Sequence, residues 1–296
     1  MKRFLVFIIL FGLFACRQVN KNESGQESRD AFMARTPQSQ EVIPQKIYYR
    51  FPSPNEIIDY INSEDLDYIS SLPNDIENAG RYVSSADIAL NLGVYIADLV
   101  YITLFKNLKQ ASEYFETVEQ MADQLRLSAV FTDKLKSRIQ NNLNNVDSLN
   151  LIAKDAYNSM VNMMIAQGDE ETLTIISAGA YIESLYLILH QVTDYKGNEM
   201  MIQKIFEQKY AFENLLKYMS VYQENDHVRS LYKKLNEISM ILGKAEVEQP
   251  AQQTNVTRGS GGLVFSGGGY SLEVSRENYF ELKSAIEQIR SSFISI

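Results

Sequence analysis

A chain of 296 residues with 45% hydrophobic residues is long enough to bury a sizeable core. Its formal charge of −9 makes it a poor binder of nucleic acid or of anionic lipid surfaces. A single cysteine excludes an internal disulfide, and two histidines leave little material for a metal site.

Lys2 and Arg3 precede an apolar run from Phe4 to Phe14, and small Ala15 stands before Cys16. This pattern is an export signal, residues 1–15, too short to cross a bilayer. Leu13-Phe14-Ala15-Cys16 resembles the lipobox of bacterial lipoproteins, whose signal is cut before an acylated cysteine. The resemblance implies that Cys16 is lipidated and that the protein is tethered in the bacterial cell envelope. Several acyl chains on one residue give stable anchoring. Many such proteins are retained at the inner membrane by Asp at the next position; here it is Arg17, which implies the outer membrane. Removal of residues 1–15 takes away two positive charges and leaves −11, so membrane attachment is expected from the lipid alone.

Residues 16–52 form the lipidated cysteine and a polar tether rich in Asn, Gln, Ser and Glu, closing in an apolar strap, Ile47-Tyr48-Tyr49-Arg50-Phe51. A helical domain is expected over 53–245. Ile57, Ile58 and Ile61 give a first short helix, and Leu66, Ile69 and Leu72 a second, stopped by Pro73. Ser84 then opens an apolar helix to Phe105, in which Asn91, Asp98 and Thr103 are the only strongly polar side chains from Ile88 on. A helix apolar nearly all round belongs in a core or a membrane, and Asp98 near its centre favours the core.

Next come amphipathic helices carrying Leu108 to Leu125, then Leu135, Ile139, Leu143 and Val146, then Leu149 to Met163 with Gly168 as the stop. A second apolar helix, 171–190, repeats the first: Gly179-Ala180-Tyr181-Ile182-Glu183-Ser184-Leu185 aligns with Gly93-Val94-Tyr95-Ile96-Ala97-Asp98-Leu99 at an offset of 86. Residues 198–220 supply one more amphipathic helix. Asp226-His227-Val228-Arg229-Ser230 then echoes Asp133-Lys134-Leu135-Lys136-Ser137 at an offset of 93.

The expected fold is therefore all-α, an antiparallel bundle or short α-solenoid of two related three-helix units, about 84–146 and 170–243, joined by an extra helix. A chance match between apolar helices is the alternative reading of the echo. Residues 246–275 form a glycine-rich linker or a small β-hairpin pairing 263–265 with 270–274, and 276–296 a last helix packing on the bundle.

No motif fixes a reaction. The glycines between Gly259 and Gly269 lack the Gly-Lys-Ser/Thr ending of a P-loop. Glu224-x-x-His227 is a single copy at a helix start, where di-iron bundles need two such motifs. Ser230-x-x-Lys233 stands without the companion elements of penicillin-recognising enzymes. The one polar set on the central helices is Asn91, Tyr95 and Asp98, matched by Ser177, Tyr181 and Ser184, which would line one cleft if the units pack as a pseudo-symmetric pair. No cofactor, metal or catalytic set is expected. The reading is a lipid-anchored, non-catalytic binding module for an envelope protein or small ligand. A hydrolytic enzyme using Asp98, Tyr95 or His227, and a purely structural lipoprotein, are the alternatives.

Overall fold

Ser84 stands in extended backbone and its Oγ accepts the Asp87 N–H at 3.1 Å, capping the orphan donors of the first turn. The apolar run therefore begins where the sequence places it: α1 spans Ser85–Leu104 in the computed structural model, which describes residues 66–248, 255–259, 262–266 and 271–295. The signal segment, Cys16, the tether, the apolar strap and the short helix at Ile57 lie outside the described residues.

Lys106, at φ +60°, turns the chain sharply into α2, Leu108–Gln124. Thr132 caps the short α3, Asp133–Gln140, and Asn145 caps α4, Val146–Gln167, which ends on Gly168 at φ +72°. The second apolar helix is α5, Glu170–Gln191. It is followed by α6, Glu199–Glu207, α7, Lys209–Met219, and α8, Asp226–Leu242, whose cap is Asn225. A last helix, α9, Arg276–Ile294, starts at Ser275. The protein is an all-α helical bundle, with nine α-helices among the described residues.

The bundle is built on the crossing of α1 and α5. A Cβ at Gly93 would lie 2.0 Å from the Ile176 carbonyl oxygen, and one at Gly179 would lie 1.9 Å from the Leu90 carbonyl oxygen. Only a residue without a side chain permits that approach, in which the Cα hydrogens of each glycine face a carbonyl of the opposite helix. The contact is reciprocal: 93 and 179, like 90 and 176, are 86 apart. Further along, Asp98 lies by Glu183, and Gln191 Nε2 donates to Tyr101 Oη at 2.7 Å, so the two helices run in the same direction. Both are long and apolar enough to cross a membrane; in this structure most of each is buried inside the protein.

The remaining helices follow the same order around each central one. α2, α3 and α4 succeed α1, and α4 packs on α1, α5 and α3. α6, α7, α8 and α9 succeed α5, and α9 packs on α5, α1 and α8.

Four expectations change. Residues 66–75 form no helix; Ile69 N donates to Tyr101 Oη at 3.1 Å and Asn74 N to Asp98 Oδ2 at 3.0 Å, so buried side chains take the place of helical partners. Residues 198–220 form two helices broken at Gln208, where a tight bond from Gln208 N to Ile205 O ends α6. α3 stops at Gln140 instead of running to Val146, because Asn142 Nδ2 turns back to the Arg138 carbonyl at 2.7 Å and Asn145 starts the next helix. Finally, Leu263–Phe265 does not pair with 270–274. β3, Gly262–Ser266, pairs with β2, Asn255–Gly259, while β4, Ser271–Glu273, pairs with β1, Glu246–Glu248.

Candidate functional site

The six residues expected to line a cleft are all in the interior, none more than 2% exposed. Asn91 Nδ2 donates to the Phe293 carbonyl of α9 at 3.1 Å, Tyr95 Oη to the Asp75 carbonyl at 2.7 Å, and Tyr181 Oη to the Gln208 carbonyl at 2.9 Å. Ser184 Oγ returns to its own helix at Ala180 O, 2.7 Å, and Tyr157 Oη lies 3.4 Å from Ser177 Oγ. They tie neighbouring segments to the central helices; the structure does not bring them together around an open space.

Asp98 belongs to a buried charge cluster. Arg290 of α9 reaches in and grips Glu183 with two hydrogen bonds, Nε to Oε2 at 2.7 Å and Nη2 to Oε1 at 2.8 Å. The same Nη2 donates to the Leu72 carbonyl at 2.9 Å, and the guanidinium lies over the Tyr186 ring at 3.9 Å. Burial, reinforced by the nearby Glu183 carboxyl, pushes Asp98 well above the usual carboxylate range. Burial works against the Arg290 charge, but the neighbouring Glu183, together with Asp98 and Tyr186, more than offsets it and keeps the guanidinium protonated. Asp98 Oδ1 has no donor facing it among the described residues. The raised pKa favours the protonated acid, in which that oxygen can act as a donor. The cluster thus sets one carboxyl of raised pKa beside one buried ion pair. Around it Tyr114 Oη donates to the Asn74 carbonyl at 2.7 Å, and Asn74 Nδ2 to Tyr82 Oη at 3.0 Å.

The open space lies elsewhere. A cavity of about 550 Å³ separates α1, α2, α3 and α4. Ile96, Leu99 and Val100 of α1, Phe115 of α2, Ile139 of α3 and Met160 of α4 line it. Phe115 and Phe131 meet edge to face, their ring centres 5.8 Å apart. At the rim Lys136 Nζ pairs with Glu119 Oε1 at 2.6 Å, beside exposed Glu116 and Gln140.

Helix length explains why the space exists. α3 has 8 residues, whereas its counterpart in the other half, α8, has 17. Ile96, Leu99 and Thr103 on α1 remain half-exposed, while Ile182, Leu185 and Leu189, 86 residues on, are all at 0%. None of the cavity residues figured in the expected cleft. The signal that could have found it is Asn141-Asn142-Leu143-Asn144-Asn145, a run that stops a helix early.

The residues of the hydrolytic alternative are not assembled: Asp98 and Tyr95 are buried on α1, while His227 is exposed in the first turn of α8. Asn225 Oδ1 accepts the His227 and Val228 N–H groups there, so that segment serves as a helix cap. Among the described residues no group of three or more His, Cys, Asp or Glu is placed to hold a metal ion. The chain matches no known protein-family model, no curated protein and no solved structure.

Proposed function

We propose that this chain is a lipid-anchored protein of the bacterial cell envelope, attached to the outer membrane through Cys16, whose helical body is a non-catalytic binding module for a small apolar ligand. The observation that carries the reading is the cavity between α1, α2, α3 and α4. Its volume of about 550 Å³ falls within the roughly 300–1,000 Å³ usual for ligand sites, and its lining is mostly aliphatic and aromatic, with Thr103, Ser112 and Asn150 among the few polar residues. Such walls stabilise a ligand through the area they remove from water. By contrast, the polar groups Asn74 and Tyr95 in the interior beside α1 are engaged with Asp98 and the Asp75 carbonyl and line no such space. The lipobox-like segment supports the anchor, and the reciprocal glycine contact at a spacing of 86 supports reading the two halves as a duplicated unit.

The test is a native mass spectrum of the full-length protein gently extracted from its own membrane. The expected species has the mass of residues 16–296 plus acyl chains and a small molecule that organic solvent removes. An unprocessed, unacylated chain beginning at Met1 overturns the anchor. An acylated chain that never retains a small molecule, whatever the extraction, overturns the binding role in favour of a structural one.

A further inference from the structure

We propose that the α1–α4 cavity holds the hydrocarbon tail of a single-chain amphiphile whose head carries a cationic group. The inference rests on the binding reading above and names the class of ligand.

Shape and wall chemistry argue for a tail. The lining along α2 runs from Leu108 to Glu119, about 16 Å at 1.5 Å per residue, so the space is a trough three turns long. Its volume of about 550 Å³ equals roughly eighteen groups of water size at about 30 Å³ each, room for one long tail. Phe115, Phe131, Ile139 and Met160 offer such a tail contact on several sides, and they offer a compact polar solute nothing to bond.

Charge at the rim argues for the head. Glu116 and Glu119 on α2 face the opening with Lys136 and Gln140 of α3. Lys136 is already held by Glu119 at 2.6 Å, and exposed Glu116 has no ion-pair partner among the described residues. The rim is net negative, so it repels a carboxylate head and attracts an ammonium one. At an exposed site that preference is modest, about two- to fivefold.

The experiment uses the full-length acylated protein in its own membranes and two photoreactive probes with the same diazirine-bearing tail. One carries a primary ammonium head, the other a carboxylate. The expected result is cross-linking of the amine probe to peptides containing Ile96–Thr103 and Phe115–Phe131, two- to fivefold above the carboxylate probe. Ala156→Phe, which fills the trough from α4, should abolish it. Glu116→Gln, an exposed change that leaves packing untouched, should remove the preference between heads while retaining labelling. Cavity labelling with no preference, or with a preference for the carboxylate, overturns the proposed ligand class and leaves the binding reading standing. Labelling that Ala156→Phe leaves unchanged places the tail elsewhere and overturns the site. Cross-links joining two copies of the chain through these peptides make a second copy the occupant and overturn the proposal. No cavity labelling by either probe overturns the inference and removes the support for an apolar ligand.

Discussion

Adding one methyl group at Gly93 tests the organising contact of the fold. In an ordinary helix Gly→Ala stabilises by about 1 kcal/mol, because alanine surrenders less backbone freedom. Here the new Cβ would sit 2.0 Å from the Ile176 carbonyl oxygen and 2.6 Å from the Ala180 nitrogen. Both are backbone atoms, which cannot rotate aside. Restoring ordinary contact, 3.4 Å or more from the present 2.0 Å, requires a shift of about 1.4 Å between α1 and α5, and a gap of only about 0.5–1 Å already forfeits a quarter to a half of each dispersion contact across it. Overpacking of this kind costs about 1–3 kcal/mol, and a rigid backbone clash belongs at the top of that range. With the propensity gain subtracted, Gly93→Ala should destabilise by about 2 kcal/mol or more, out of a total of roughly 5–15. The measurement is the urea midpoint of the helical circular-dichroism signal. Gly80→Ala, whose Cβ would meet nothing within 4 Å, should leave it unchanged. Gly93→Ala with Gly179→Ala should cost less than the sum of the two, since one separation relieves both clashes. A Gly93→Ala midpoint at or above wild type would refute the reasoning.

Three further outcomes follow from the buried cluster. Asp98 has its folded-state pKa raised above the unfolded value of about 3.9, so its contribution to stability is complete below that pH and is lost as pH rises toward the folded value. Asp98→Asn keeps the hydrogen-bond pattern of the protonated acid without the titration; its stability relative to wild type should grow with pH above 4, by up to about 1.4 kcal/mol per unit, and parallel pH–stability curves would rule this out. Arg290→Met leaves Glu183 buried without its partner and should cost about 3–5 kcal/mol by urea melt, most of it recovered in the double variant with Glu183→Leu. Tyr95→Phe strips a donor from the Asp75 carbonyl and should cost about 1 kcal/mol in the same assay, with near-zero loss as the refuting result.

The central helices were legible because their signals are local. Ser84 with Asp87, Gly168 and the apolar run of Ile88 to Leu104 each act within a turn or two of chain. The boundaries that shifted were set by partners far away. Residues 66–72 carry an apolar spacing suited to a helix, yet Tyr101 and Asp98 claim the backbone donors at Ile69 and Asn74. Arg290 was invisible as a partner of Glu183, since 107 residues separate them and an arginine on an amphipathic helix normally faces water. Asp98, Tyr95 and Asn91 were correctly seen to share a helix, but periodicity does not say whether a polar face meets a cleft or another backbone. The cavity was beyond reach for a related reason: it is bounded by how far α3 extends, and Leu143 and Val146 continue the apolar spacing past the residue where the asparagines stop the helix.

The two halves close differently around a shared frame, and the difference lies in one side chain and one helix length. On the α5 side Arg290 anchors α9 to Glu183 and to the Leu72 carbonyl, and α8 runs for 17 residues, so Ile182, Leu185 and Leu189 are sealed. On the α1 side α4 occupies the place of α9, but Val100, which stands 86 residues before Tyr186, offers no ring for a cation, and α3 gives up after 8 residues. A carboxyl of raised pKa beside a buried ion pair needs surroundings that packing holds shut, and the polar cluster sits under the closed half. The open half then carries apolar surface that its own helices do not cover, gathered in the trough between α1, α2, α3 and α4. The glycine crossing couples the two: any displacement that widens the trough by moving α1 must also shift the α1–α5 contact at Gly93, so filling the trough from α4 by Ala156→Phe should leave the urea midpoint near that of wild type, while parting α1 from α5 through Gly93→Ala should lower it.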